Sequence, residues 1–140
     1  SETQIEQLEP VFKALEDYHN LPIWVHTFNP VTLGGIKILM ELGRKYPTVP
    51  VIFGHMGGSN WMDVIAFAKE HRRAYLDLSA AFTPLSVKTA LTEVPEKCLF
   101  GSDAPFGEPQ LCRQLIEFVS PSRSITELVL GGNIESLLQI

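Results

Sequence analysis

The sequence predicts an α/β fold in which parallel strands alternate with covering helices. Four short β-prone runs are separated by stretches of helical periodicity. The runs are near-continuously apolar, as strands covered on both faces are. One run follows the next at about 25–30 residues, the length of a βαβ unit.

The elements follow in order. Leu8, Val11, Phe12, Leu15 and Tyr18 recur at helical spacing, with Pro10 at an early helical position, and Asn20-Leu21-Pro22 stops that helix. Ile23 to Thr27 is the first strand, broken by Asn29-Pro30. Leu33, Ile36, Ile38, Leu39, Met40 and Leu42 mark a helix ending near Tyr46-Pro47. Val49 to Phe53 is the second strand, and Gly54-His55-Met56-Gly57-Gly58 is a loop at its end. Ser59 is the expected cap of a helix carrying Trp61, Ile65 and Ala68. Ala74 to Ser79 is the third strand, and Pro84 to Glu93 a helix. Lys97 to Gly101 is the fourth strand, followed by Ser102-Asp103-Ala104-Pro105. Glu108 to Val119 is an amphipathic helix. Ser124 or Thr126 starts a short helix stopped at Gly131-Gly132, and Asn133 caps a last one through Leu138. Four strands in 140 residues make either an open sheet or half of an eight-stranded barrel, which takes ~250 residues.

Composition bounds the function. Residues 1–140 read as one domain, 45% hydrophobic and 19% charged, which provides a core and excludes disorder. The net charge of −5 and the lack of a basic cluster exclude a nucleic-acid partner. No apolar run reaches the length of a membrane span, and no segment reads as a signal peptide. The two cysteines, Cys98 and Cys112, read as reduced core thiols, which implies the cytoplasm.

Chemistry concentrates where strands end, since active sites of parallel α/β folds sit at the carboxyl ends of strands. His26 follows Ile23-Trp24-Val25, His55 follows Val51-Ile52-Phe53-Gly54, and Asp103 follows Leu99-Phe100-Gly101-Ser102. Imidazole and carboxylate together suit zinc or another first-row divalent metal. Singly, each has an ordinary reading: a hydrogen-bonded loop histidine, or an aspartate forming a turn. The joint pattern, with all three on one rim, points to a site. Gly54, Gly57 and Gly58 around His55 imply positive φ or close approach of a ligand. Asp77 either points inward or caps a strand. Trp24, Phe53 and Trp61 read as core or pocket wall. His19 and His71 sit at helix ends, where a cation suits the dipole. The glycines lack the Lys-Ser/Thr of a phosphate loop, and neither Ser79 nor Ser102 lies in a hydrolase elbow.

These motifs, in this order, carry a resemblance. Leu21 to Thr27, Arg44-Lys45-Tyr46-Pro47 and Val51 to Gly58 resemble the second half of an amidohydrolase-related metal-dependent hydrolase. Tyr75-Leu76-Asp77-Leu78-Ser79, Leu99 to Phe106 and Leu130-Gly131-Gly132-Asn133 continue it over nearly the whole chain. The group includes relatives of aminocarboxymuconate-semialdehyde decarboxylase and several lactone hydrolases. The resemblance implies a (β/α)8 TIM-type barrel of which about four βα units are present, with His26, His55 and Asp103 ending its fifth, sixth and eighth strands. It implies that His26 and Asp103 join a metal shell. His55 would polarise the substrate or help activate water, or bind a second metal in two-metal relatives. The family's His-x-His pair and its strands two to four have no counterpart here, so the chain holds at most half of a shell.

The function expected from this is a metal-dependent hydrolase or non-oxidative decarboxylase acting on a small carbonyl or carboxylate compound. Zinc is the expected metal, with Asp103 holding it and shuttling a proton and His55 steadying an oxyanion. The 140-residue chain by itself is expected to be inactive. The rival is a non-catalytic or self-complementing half-barrel that dimerises, two fours making eight strands. A homo-oligomer, or pairing with a missing N-terminal half, is therefore expected. A start at Ser1 without Met suits a piece of a longer protein.

Overall fold

The computed structural model describes residues 2–140; the start at Ser1 lies outside them. Four strands, Ile23–His26 (β1), Val51–Gly54 (β2), Ala74–Asp77 (β3) and Cys98–Leu99 (β4), form one sheet in the order β1-β2-β3-β4. Every neighbouring pair is parallel, Ile23 lying opposite Val51 and Val51 opposite Ala74. Helices Leu33–Lys45 (α3), Trp61–Glu70 (α4) and Pro84–Glu93 (α5) join successive strands. The order never reverses, so there is no switch point of the doubly wound kind. This is the winding of a barrel wall.

The helices start where side chains cap them. Thr32 accepts from Gly35 N at α3, and Thr83 and Ser86 form a capping box at α5, with Pro84 at its first turn. The predicted first helix, from Leu8 to Tyr18, is the shorter Glu9–Leu15 (α2) with Pro10 in its first turn, and an unpredicted helix, Glu2–Glu6 (α1), precedes it. Ser59 does not cap α4; it lies inside a tight His55–Asn60 segment, and Asn60 stands at the cap position without a side-chain bond. Glu108 caps Pro109–Val119 (α6), and Ser122, rather than Ser124 or Thr126, caps Arg123–Glu127 (α7). Gly131-Gly132 does not stop that helix. The chain passes through a π turn over Leu128–Gly132 straight into Asn133–Leu138 (α8). Nor does Asn133 cap. Its buried amide donates to Pro95 O at 2.7 Å and Cys98 O at 2.8 Å, tying α8 to the start of β4. β4 is shorter than predicted because Phe100 N turns away to Val129 O.

Alternation divides the sheet into two faces. Val25, Val51, Phe53, Ala74, Leu76 and Cys98 enter the main core with the helices. The opposite face carries Trp24, His26, Ile52, Gly54, Tyr75, Asp77 and Leu99. There Ile52, Tyr75 and Leu99 pack against Ile134 and Leu137 of α8. The chain thus covers part of its own inner face with its last helix. Trp24 on the same face stays 48% exposed.

The cation at the end of α4 is not His71. Lys97 Nζ donates to His71 O and Arg72 O at 2.7 and 2.9 Å, supplying the charge that complements the helix terminus. Burial, with Lys97 and Arg44 nearby, pushes the His71 imidazole below its ordinary range. Its ring stacks on Phe67 instead. Cys98 is buried and Cys112 half-buried, both free, and burial pushes the Cys98 thiol up, so it stays protonated. No helix among the described residues is long and apolar enough to cross a membrane.

Candidate functional site

Because all four strands run the same way, the residues at their carboxyl ends share one rim. His26 closes β1, His55 follows β2 directly, and Asp103 lies four residues past β4. The first two come from neighbouring strands and meet, their rings 5.0 Å apart at 80°. β4 is separated from β2 by β3 and stands at the far edge of the sheet. Asp103 accordingly makes no side-chain hydrogen bond or ion pair with either imidazole among the described residues.

His55 sits on an unusual backbone. Four successive residues, His55 to Gly58, have positive φ of 62°, 44°, 88° and 56°. Glycine adopts such angles freely, but for His55 and Met56 they store strain of the kind that persists where surroundings over-determine it. Two anchors do so here. Buried Thr27 donates through Oγ1 to Gly54 O at 2.6 Å and accepts from Gly57 N at 2.9 Å. Asp77 accepts from His55 N at 3.1 Å.

The side chain is held as firmly. His55 is 5% exposed, and its Nδ1 lies 2.9 Å from Ser79 Oγ and 3.0 Å from Ser79 O. Ser79 Oγ donates to Asp77 Oδ2 at 2.6 Å, and Ser79 N to Asp77 Oδ1 at 3.1 Å. Nε2 makes no hydrogen bond among the described residues. Of the two readings of Asp77, the inward one holds. The sequence did not single out Ser79 as its link to His55. Its signal was the alternation of Asp77 and Ser79 on the inner face of one strand run.

Aromatic rings surround the pair. Trp24 meets His55 edge-on at 5.6 Å and reaches Asp77 Oδ2 with its indole N–H at 3.3 Å. It crosses β2 over Gly54, where a Cβ would stand 2.3 Å from the indole. Phe28 lies 6.3 Å from His55 and 6.5 Å from the half-exposed Phe82. His26 Nε2 donates to Asn29 O at 3.0 Å, leaving Nδ1 as its lone-pair nitrogen. Asp103 has φ +57°, and its carbonyl accepts from Phe106 N and Gly107 N in a tight turn. Both ordinary single-residue readings are thus present as geometry.

Two imidazoles in contact and a carboxylate on the same rim fit the donor chemistry of a divalent transition metal. They fit part of a shell. Among the described residues no three or more His, Cys, Asp or Glu side chains stand close enough to hold a metal ion. A catalytic zinc takes three protein ligands and an open position.

A family model described as Amidohydrolase matches residues 3–140. No curated protein matches the chain in sequence. Among solved structures, an uncharacterised TIM-barrel protein from Bordetella bronchiseptica is similar with a TM-score of 0.80 at 18% identity, over 94% of this chain and 50% of that one. A dihydroxybenzoic acid decarboxylase from Polaromonas, bound to manganese and the inhibitor 2-nitroresorcinol, gives 0.72 at 20%, over 95% and 54%. A 2,6-dihydroxybenzoate decarboxylase complexed with 2,6-dihydroxybenzoate gives 0.74 at 17%, over 95% and 55%. At these identities the likeness establishes the fold: four parallel strands as part of a TIM barrel. The chain spans about half the length of the solved structures it matches.

Proposed function

Because the chain belongs to the amidohydrolase family, we propose that it supplies the second half of a metal-dependent active site acting on a small carboxylate or carbonyl compound. Decarboxylation is the reaction we favour over hydrolysis. The observation that carries the reading is His55, buried, anchored through Nδ1 and open at Nε2, in ring contact with His26. The names of the solved decarboxylases and the aromatic wall of Trp24, Phe28 and Phe82, suited to a flat ring, support the choice of reaction.

His26 and Asp103 would hold the metal, zinc by donor type, with manganese the alternative because a similar solved structure carries it, and His55 would join them as a ligand only where a second metal is bound. When bound, such a metal supplies Lewis-acid polarisation of the substrate. The chain's own residues do the rest. His55 Nε2 takes a proton from the substrate side or returns one to it. Asp103 holds a second proton at the same rim. Trp24 and Phe28 orient a planar substrate against His55 and keep water from its face. The remaining donors come from outside these residues, from an N-terminal half or a second copy of this chain.

The test is CO2 release from 2,6-dihydroxybenzoate and related aromatic carboxylates by the complete assembly, with metal content measured alongside. Chelation should abolish turnover and metal should restore it. Asp103→Asn should lower the rate by ~10²-fold or more, the size of a general acid–base contribution. Full activity in metal-free protein overturns the proposal.

A further inference from the structure

The sheet places two polar side chains, Ser79 and then Asp77, behind His55 in an order that fixes which of its nitrogens carries the proton. Ser79 O lies 3.0 Å from Nδ1, and a carbonyl oxygen only accepts. Ser79 Oγ lies 2.9 Å from the same nitrogen and gives its own hydrogen to Asp77 Oδ2, so towards His55 it too offers a lone pair. Both partners therefore require Nδ1–H, and Nε2 is left with its lone pair. Asp77 makes the arrangement possible. At 3.9 Å from Nδ1 its carboxylate acts through Ser79 rather than directly. It also accepts from His55 N and Ser79 N, which holds the strained turn at His55 and the Ser79 backbone in place. Trp24 Nε1–H at 3.3 Å adds a fourth donor to it. Asp77 and Ser79 are 7% and 4% exposed, so water does not compete for these bonds.

We infer that Asp77 is a positioning residue for His55, working through Ser79: it fixes the Nδ1–H tautomer and presents Nε2 as an unprotonated base to the rim. Histidine free in water prefers the opposite tautomer, so the two states are distinguishable. The inference rests on His55 being the working imidazole of the proposed site, but its test needs no activity. Carboxylates bonded behind metal-binding histidines set the tautomer in the same way.

The experiment is long-range 1H–15N correlation on the purified protein in its native assembly, stripped of metal. It is run at about pH 8, above the ordinary imidazole range of ~6.5. His55 is assigned by the signal missing in His55→Gln. Wild type should show Nδ1–H dominant over Nε2–H by about tenfold or more, the worth of one or two hydrogen bonds. Ser79→Ala and Asp77→Asn should each lower that ratio by about fivefold. A dominant Nε2–H form in wild type overturns the inference. So does a folded Asp77→Asn protein with an unchanged ratio. If Asp77→Asn does not fold, Ser79→Ala and the wild-type tautomer decide. An Nδ1–H protein without decarboxylase activity would leave this inference standing and remove the proposed reaction, whereas an active protein with Nε2–H would do the reverse.

Discussion

At the scale of single residues, the site is a set of buried polar groups that satisfy one another. Thr27 is the clearest case. It was predicted only as the end of a strand, yet its hydroxyl both donates to Gly54 O and accepts from Gly57 N, two groups of the turn that carries His55. Thr27→Val keeps the shape and removes both bonds. Unpairing buried backbone groups costs about 1–3 kcal/mol, so the urea midpoint should fall accordingly, and a midpoint equal to wild type would release Thr27 from this role. His71 makes a second prediction. Its folded pKa lies below the ordinary histidine value because burial, Lys97 and Arg44 all oppose the cation. The neutral form is the native one. Acidifying through ~6.5 protonates the unfolded chain first. This contribution to stability is present above ~6.5 and is lost as pH falls towards the folded value. His71 Nε2 is buried without a hydrogen-bond partner among the described residues, so His71→Leu removes the titration without breaking a bond there. Its stability should depend less steeply on pH between about 7 and 5, which urea titrations at each pH will measure.

Elements were legible in proportion to how locally they are determined. α3 sits where its periodicity places it and α5 starts at Pro84 as expected, because each signal lies within a few residues; the Thr32 and Thr83 caps became visible only in the structure. The C-terminal segment departs from its local pattern for the opposite reason. A Gly-Gly pair followed by Asn suggests a stop and a restart, but neighbouring β4 uses the Asn133 side chain and Phe100 uses Val129 O. The helix therefore continues through a π turn. Asn133→Ala should unpair the buried Cys98 carbonyl and remove one of the two donors to Pro95 O, and cost about 1–3 kcal/mol. An exposed cap would cost a fraction of that on removal. Denaturation of the variant separates the two roles.

For the whole molecule, half a barrel wall leaves two sheet edges, at β1 and β4, without a strand partner among the described residues. Unpaired edges invite strand addition. The inner face is less open than four bare strands imply, since α8 covers Ile52 and Leu99. Trp24 and the rim around His26 remain uncovered. We expect the chain to pair with a second copy or with an N-terminal half, burying well above ~1,000 Å² in total. Light scattering at micromolar concentration tests it, and a lone monomer with a cooperative melt would refute it.

The alternation of strand and helix, the parallel sense of the sheet, and the placement of His26, His55 and Asp103 after strands were all readable along the chain. Each follows from local periodicity and chain direction. Which of them meet, and how they are held, depends on the folded sheet. His26 and His55 touch because β1 and β2 pair, while Asp103 is carried to the far edge by β4. Asp77 and Ser79 became the support of His55 because parallel pairing in register sets the end of β3 beside the end of β2. Contacts between residues far apart in sequence depend on register and closure of the sheet, and no local pattern encodes those distances.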